Sequence, residues 1–153
     1  MKKYSVKAPA RALKALAKVA SRDQGRAPLD CVHVRRRGAE VVAEATDSYR
    51  LARYTWEADR DGEDFDALFS RADVARLKVS AALAIEYDET GAQLFAEDGA
   101  TISAAGGLGV FTKSGASLKY PSLDKFLTPE RLPESAAVFA VNPAYFADAM
   151  AGA

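Results

Sequence analysis

The sequence predicts an α+β fold in which a unit of strand, helix and three strands occurs twice, with two helices packed on antiparallel sheets. Three observations predict it: an amphipathic helical pattern near the N-terminus, short alternating segments typical of strands, and a second run of the same order further along the chain. The chain has 153 residues, 49% of them hydrophobic, which is enough for one buried core. We therefore expect one soluble globular domain, with at most a fragment of a second.

The first unit begins with a short alternating strand over residues 3–7 and continues into a helix over residues 10–20. Pro9 lies at the start of this helix, where the first turn tolerates proline because no backbone donor is needed there. Leu13 and Leu16 recur at helical spacing and predict the buried face. The three strands that follow are expected at residues 29–36, 40–45 and 50–57.

The second unit repeats this order from residue 65 onward. A strand over residues 65–69 leads to a helix for which Ser70 is the expected N-cap, with Asp73 completing a variant of the capping box. Further strands are predicted at residues 83–87, 93–96 and 110–113. The expected domain organisation is one domain over residues 1–119, a proline-punctuated linker over residues 120–136, and the incomplete strand and helix of a next domain over residues 137–153.

Charge is distributed unevenly along the chain although its sum is zero. Residues 1–39 hold eleven Lys or Arg against two Asp, while the remainder holds ten bases against nineteen acids. The N-terminal part should therefore be electropositive, which suits a polyanionic partner. A dipolar solvated surface is the alternative.

The predicted first helix concentrates this positive charge on one face. Arg11, Lys14 and Lys18 share the side opposite the alanine-rich and leucine-rich face, and the helix contains no acid. Because solvated helix faces ordinarily mix both signs, the pattern favours an anion-binding stripe. Plain solvation remains the alternative.

The segment Ala45-Thr46-Asp47-Ser48-Tyr49-Arg50-Leu51-Ala52, called the corner below, connects two predicted strands. Its short oxygen-bearing side chains can bond their own backbone and close a tight turn. Asp47 and Arg50 are close enough in such a turn to pair. Composition alone favours an ordinary hairpin in which Arg50 forms a structural ion pair; the alternative is a corner that exposes groups for binding.

Two further motifs accompany the corner. They are Arg26-Ala27-Pro28-Leu29-Asp30-Cys31-Val32 before a strand and Tyr120-Pro121-Ser122-Leu123-Asp124-Lys125-Phe126-Leu127 in the linker. Together the three motifs resemble the bacterial DNA polymerase III beta subunits, the sliding clamps. The corner is the most specific, since it follows the clamp pattern Ala-Thr-Asp-Gly/Ser-His/Tyr-Arg-Leu-Ala. The order and spacing resemble the middle domain of a clamp followed by the start of its third domain.

The resemblance implies a DNA-clamp (processivity) fold, in which repeated domains form a ring with helices around a central hole and sheets outside. It also gives the cationic stripe a role, because Lys and Arg that face phosphates attract DNA without reading its sequence. The expected contacts with double-stranded DNA are Arg11, Lys14, Lys18, Arg22, Arg71 and Lys78.

The resemblance further implies a groove beside the corner that receives short linear peptides from DNA polymerase, the clamp loader and repair proteins. Apolar side chains would hold an anchor residue of the peptide, while Arg50 and the polar groups of the turn would fix its orientation. Leu51 could instead be ordinary core. The expected groove residues are Leu29, Thr46, Ser48, Tyr49, Arg50, Leu51, Pro121, Lys125 and Phe126.

Two features depart from the family pattern. A complete clamp subunit has three such domains, whereas this sequence resembles one and the beginning of another, and the family groove also draws on the end of the third domain. The leading hypothesis is a non-enzymatic sliding clamp or a fragment of one, with a homo-oligomer as one way to complete a ring. The alternative is a stand-alone clamp-like peptide-binding module or regulator that does not encircle DNA.

Other classes of function have little support in the sequence. A single cysteine, Cys31, excludes an internal disulfide, and a single histidine, His33, disfavours a zinc site. No third group that would orient these two as nucleophile and base is evident, and the glycine-rich stretch at residues 104–109 lacks the Lys-Ser/Thr of a phosphate loop. No apolar run approaches the length of a membrane span. We expect no enzymatic activity, cofactor or metal, and a location in the bacterial cytoplasm, associated with the nucleoid.

Overall fold

The structure, a computed structural model, describes residues 3–23, 28–59, 62–78, 83–88, 90–96, 99, 101–104 and 120–124, and the backbone at 111–112. Its helices and strands confirm the predicted α+β class. The elements are β1 Tyr4–Ala8, α1 Ala10–Val19, β2 Cys31–Arg37, β3 Glu40–Thr46, β4 Leu51–Glu57, β5 Phe65–Ser70, α2 Arg71–Ala75, β6 Leu83–Tyr87, β7 Ala92–Ala96, β8 Thr101–Ser103 and β9 Phe111–Thr112. The predicted linker beyond residue 124 and the predicted next domain lie outside the described residues.

Two antiparallel sheets form, and the two units exchange their first strands. The four-stranded sheet has the order β1-β6-β7-β8, and the five-stranded sheet has the order β4-β3-β2-β5-β9. Strand β1 therefore pairs with β6 of the second unit, and β5 pairs with β2 of the first. Neither sheet is complete without a strand from the other unit, so the units are joined into one body.

The last strand of the second unit differs from the prediction. Strand β8 pairs with β7 and completes the four-stranded sheet, whereas β9, within the predicted strand at residues 110–113, joins β5 in the other sheet. Strand β8 has one buried side chain, Ile102, between two exposed ones. A single apolar residue is too short an alternation to identify a strand from sequence.

Helix α1 lies against strands β2, β3 and β4 of the five-stranded sheet and also contacts α2. Leu13 and Leu16 are fully buried, and each contributes about 1.5–3 kcal/mol by leaving water. The remaining buried positions are mostly alanine, which lets the backbone approach the sheet closely. In the described part of the chain, no helix is long and apolar enough to cross a membrane.

Helix α2 is a single turn that follows directly from β5. Ser70 occupies the N-cap position, but its side chain makes no capping hydrogen bond, so the predicted capping box is wrong. Ser70 is also the last residue of β5 and pairs there with Cys31. The turn is held instead by the Arg71 N–H, which donates to the Asp30 carbonyl at 3.0 Å, and by the buried side chain of Val74.

Candidate functional site

The corner folds as a tight turn between β3 and β4. Asp47 Oδ1 accepts hydrogen bonds from the backbone N–H groups of Tyr49 at 2.9 Å and Arg50 at 3.1 Å. Thr46 Oγ1 donates to the Arg50 carbonyl at 2.7 Å and accepts from the Ser48 N–H at 3.1 Å. Ser48 has a φ of 80°, a left-handed conformation that residues other than glycine rarely adopt. The Thr46 and Asp47 side chains hold this conformation, as the turn chemistry of the sequence predicts.

Arg50 links the corner to α1. Its Nε lies 3.2 Å from Asp47 Oδ2, so the expected ion pair is present. Its Nη2 donates to the Lys18 carbonyl at 2.7 Å, close to the C-terminal end of the helix, where the helix dipole favours a cation. Arg50 therefore fixes the position of the corner relative to α1.

A groove of about 540 Å³ lies between the corner and residues 121–123. Leu29 and Leu51 line it from the body of the domain, and Pro121 and Leu123 line it from the segment at residues 120–124. Tyr49 also lines it and is 83% exposed. The groove thus combines an apolar lining with an exposed aromatic ring, the combination that commonly holds an anchor side chain of a peptide.

The structure brings together seven of the nine residues predicted for the groove, namely Leu29, Thr46, Ser48, Tyr49, Arg50, Leu51 and Pro121. The other two, Lys125 and Phe126, lie outside the described residues. Sequence reasoning missed one lining residue, Leu123. Its position two residues after Pro121 was a usable signal, because alternate residues of an extended segment share a side.

Residues 120–124, called the strap below, pack onto the sheet beside the groove. The side chains of Tyr120 and Leu123 are buried together with Cys31 and Leu68. The partly buried groove residues Leu29 and Leu51 pack against the same cluster. The apolar lining of the groove is therefore continuous with the surface that the strap covers.

A buried network of charged groups lies under the strap. His33 Nδ1 is 2.9 Å from Glu44 Oε1, and His33 Nε2 is 2.5 Å from Asp66 Oδ1. The ring of Tyr120 stacks on the His33 ring with a centroid distance of 4.7 Å. Burial lowers the pKa of His33, but the hydrogen bonds to Asp66 and Glu44 raise it, and the net shift of this pKa is upward.

Arginines complete the network from two strands. Glu44 accepts hydrogen bonds from Arg53 Nε at 2.8 Å and Arg53 Nη2 at 2.6 Å, and from Arg35 Nη1 at 3.1 Å. Asp66 Oδ2 accepts from Arg37 Nη2 at 2.5 Å. Burial raises the pKa values of Glu44 and Asp66, but these partners and His33 lower both below their ordinary values. Both buried carboxylates are therefore held in the ionised form.

Asp124 connects the end of the strap to this network. Its Oδ1 lies 2.7 Å from Arg53 Nη1 and 3.6 Å from Arg35 Nη2. The hydrogen bond from Arg53 lowers the pKa of Asp124. The two arginines therefore join the buried Glu44 to the exposed Asp124.

Cys31 and His33 do not form a nucleophile and base. The expectation that no orienting group lies near His33 is wrong, since both of its ring nitrogens contact carboxylates. That arrangement leaves neither nitrogen available as a base. Burial, followed by the charge of Asp30, raises the pKa of Cys31 to about 12, which disfavours the thiolate. Among the residues that the structure describes, no group of three or more His, Cys, Asp or Glu could hold a metal ion.

The six predicted DNA contacts lie on or beside the two helices, which contact each other. Arg11 and Lys18 are exposed on α1, with Lys14 half-buried between them. Two of the others, Arg22 and Arg71, line a shared polar pocket of about 260 Å³. The last, Lys78, is exposed just after α2. The structure therefore places cationic side chains along one helix and at the ends of both.

Comparison with known proteins gives matches in structure but not in sequence. No protein-family model matches the sequence, and no curated protein matches it. The beta subunit from DNA polymerase of Streptococcus pyogenes matches with a TM-score of 0.56 and 18% identity, over 84% of this chain and 34% of that one. The chain has the sliding-clamp fold.

Two further clamps match in the same way. The Bacillus subtilis sliding clamp has a TM-score of 0.54 and 18% identity, over 86% of this chain and 33% of that one. A Pseudomonas aeruginosa sliding clamp bound to griselimycin has a TM-score of 0.56 and 15% identity, over 88% and 34% of the two chains. The resemblance seen in the sequence is thus confirmed at the level of the fold. This chain spans about a third of the length of these clamps.

Proposed function

We propose that the chain is a DNA sliding clamp, or part of one, that tethers replication and repair proteins to DNA through the groove at the corner. One observation carries the proposal: residues chosen from a clamp motif line a single groove on a domain with the clamp fold. The expected ligands are short linear peptides of DNA polymerase, the clamp loader and repair proteins. The role is one of binding, without catalysis, in the bacterial cytoplasm at the nucleoid.

The geometry of the groove supports peptide docking. Its apolar side chains can hold an anchor side chain, and the exposed ring of Tyr49 can cover that anchor at low cost in conformational entropy. Arg50 is held by Asp47 and by the end of α1, so its position is set before a peptide arrives. Preorganised walls of this kind reduce the cost of binding.

The α1 face supports contact with double-stranded DNA that is independent of sequence. The helix contributes three cations and no acid, a charge pattern that attracts a phosphate backbone. Because the chain spans about a third of the clamps that it matches, a ring would have to be completed by further domains or by further copies.

The alternative is a stand-alone clamp-like module or regulator that binds peptides and does not encircle DNA. One observation favours it: the groove is lined by residues of this chain that lie outside the cationic α1 face. DNA binding separates the two functions.

The experiment compares duplex DNA binding by the wild type with that of a variant carrying Arg11→Glu, Lys14→Glu and Lys18→Glu. We expect a linear fall of log affinity with log salt in the wild type, with a slope of about 0.9 for each phosphate neutralised, and a much smaller slope in the variant. Lys7→Glu, at an exposed position of β1, is the control. Unchanged DNA binding in the triple variant would leave only the peptide-binding module.

A further inference from the structure

We propose that Asp124 is a positioning residue of the groove, because its ion pairs hold the strap in place and with it the wall formed by Pro121 and Leu123. The role of that wall in holding a peptide rests on the proposed function. The attachment of the strap itself can be tested without any peptide.

The strap is held at both of its ends and between them. At its first residue, the ring of Tyr120 stacks on His33. At its last residue, Asp124 meets Arg53 at 2.7 Å and Arg35 at 3.6 Å. Between these ends the buried side chain of Leu123 packs in the cluster that contains Cys31 and Leu68. The wall of the groove therefore lies between two attachment points.

The groove needs the strap for its shape. Leu51 pairs with Thr46 in the sheet, and the Leu29 carbonyl accepts a hydrogen bond from the Ser21 N–H at 2.8 Å, so the body of the domain holds the backbone at both leucines. Pro121 and Leu123 line the groove from the strap and form this wall of it. Without that wall the two leucines would be an open apolar patch, which cannot desolvate an anchor side chain on both sides.

Asp124 meets a surface that is already arranged to receive it. Arg35 and Arg53 both donate to the buried carboxylate of Glu44, so their guanidinium groups are fixed without the strap. Arginine holds a carboxylate in a defined geometry, and partners that are already fixed lose little entropy on pairing. Asp124 itself is 65% exposed on its side chain, so its replacement by Asn leaves the core intact.

The charges under the strap also favour an added carboxylate. Arg35 and Arg53 both pair with the single buried carboxylate of Glu44, so two guanidinium groups share one carboxylate there. Asp124 brings a second carboxylate to these two guanidinium groups, so the docked strap is electrostatically favoured.

Cys31 provides a direct reporter of strap opening. It is the only cysteine in the chain, it is 3% exposed, and it is buried in one cluster with Tyr120 and Leu123. A thiol reagent such as DTNB reacts with it only when the cluster opens. At one fixed pH, the ratio of labelling rates between two variants reports the ratio of their open populations.

The test compares Cys31 labelling in the wild type, Asp124→Asn and Asp124→Glu. We expect Asp124→Asn to label about 5-fold faster, since the lost pair is partly exposed, and Asp124→Glu to recover part of the difference. Asp73→Asn is the matched control, because Asp73 also pairs with an arginine, Arg76, and neither residue belongs to the strap or to the buried network. Its labelling rate should equal that of the wild type.

Low concentrations of urea identify the kind of opening. Opening of the strap alone exposes little surface, so the labelling rate should be nearly independent of urea below the unfolding transition. Equal rates in the wild type and Asp124→Asn would overturn the proposal. A difference that appears only with the full urea dependence of global unfolding would overturn it as well.

A fluorescent peptide from the clamp-binding segment of a bacterial DNA polymerase completes the test. If the peptide binds only the domain with its strap docked, bound peptide protects Cys31. The labelling rate then falls as the fraction of peptide-bound protein rises. Anisotropy could instead show that the peptide binds while the Cys31 labelling rate stays the same. The strap would then not be a wall of the peptide site, which would contradict the proposal. If Asp124→Asn changes the labelling rate but no peptide binds, the strap attachment stands and the proposed peptide function fails.

Discussion

The groove region and the outer face of α1 use charged side chains in opposite ways. Beneath the strap, His33, Glu44 and Asp66 are buried, and each has a partner of opposite charge. On α1, by contrast, Lys18 is exposed and the helix supplies no acid to pair with it. Charged side chains therefore stabilise the fold beneath the strap, whereas on α1 they create a positive electrostatic potential at the surface of the domain.

This difference should make the two regions respond differently to substitution. A buried charge that loses its partner costs several kcal/mol because it cannot return to water. An exposed cation that is reversed costs little in folding but changes the attraction of a polyanion. Loss of a buried charge beneath the strap should therefore lower the free energy of unfolding markedly, whereas charge reversal on α1 should change it little.

The largest effect is expected from Glu44→Ala, which breaks the buried network. Removing Glu44 leaves His33, Arg35 and Arg53 without their shared carboxylate. We expect a loss of about 3–5 kcal/mol in the free energy of unfolding, measured with urea. Glu57→Ala, at an exposed position of β4, is the control and should stay within about 0.5 kcal/mol. Equal stabilities of the two variants would contradict a structural role for the network.

A smaller effect on the free energy of unfolding is expected from raising the pH. This removes one proton from His33, whereas Glu44→Ala removes a whole carboxylate. The pKa of His33 is raised above its ordinary value of 6.5 in the folded chain. The stability that this histidine contributes is therefore complete below pH 6.5 and is lost as pH rises through the raised pKa. Urea unfolding between pH 6 and 8.5 should show a falling free energy of unfolding, with a weaker fall in His33→Gln. A free energy of unfolding that rises with pH over this range would contradict a raised pKa of His33 in the folded chain.

The smallest effect on the free energy of unfolding is expected from Tyr49→Ala. This variant tests a groove residue that is exposed, in contrast to the buried network beneath the strap. Its side chain is 83% exposed, so the free energy of unfolding should change by less than about 0.5 kcal/mol. Affinity for a clamp-binding peptide should nevertheless fall about 10-fold, as is common for an aromatic anchor. Fluorescence anisotropy measures this affinity, with Gln93→Ala on β7 as an exposed control. Equal affinities in both variants would remove Tyr49 from the site.

The local elements were the most predictable part of the molecule. The turn at the corner follows from the side chains of Thr46 and Asp47, which bond backbone groups within four residues. Helix α1 follows from its spacing of leucines. The exchange of β1 and β5 between the sheets was not predictable, because alternation within a strand does not specify its partner.

The buried network was the least predictable part of the site. His33, Glu44, Arg53, Asp66 and Asp124 lie on four strands and the strap, and only the pairing of those strands brings them together. In the sequence each looks like an ordinary surface charge of a strand or loop. Their meeting depends on register, which a single sequence does not reveal.

The central proposal is that this domain binds a peptide and duplex DNA at the same time on two separate regions. The most direct measurement titrates each ligand alone and then in the presence of saturating amounts of the other. We expect independent affinities in the wild type, weaker binding of the peptide alone in Tyr49→Ala, and weaker binding of DNA alone in the triple charge reversal at Arg11, Lys14 and Lys18. Competition between the two ligands, or loss of both in either variant, would contradict the claim.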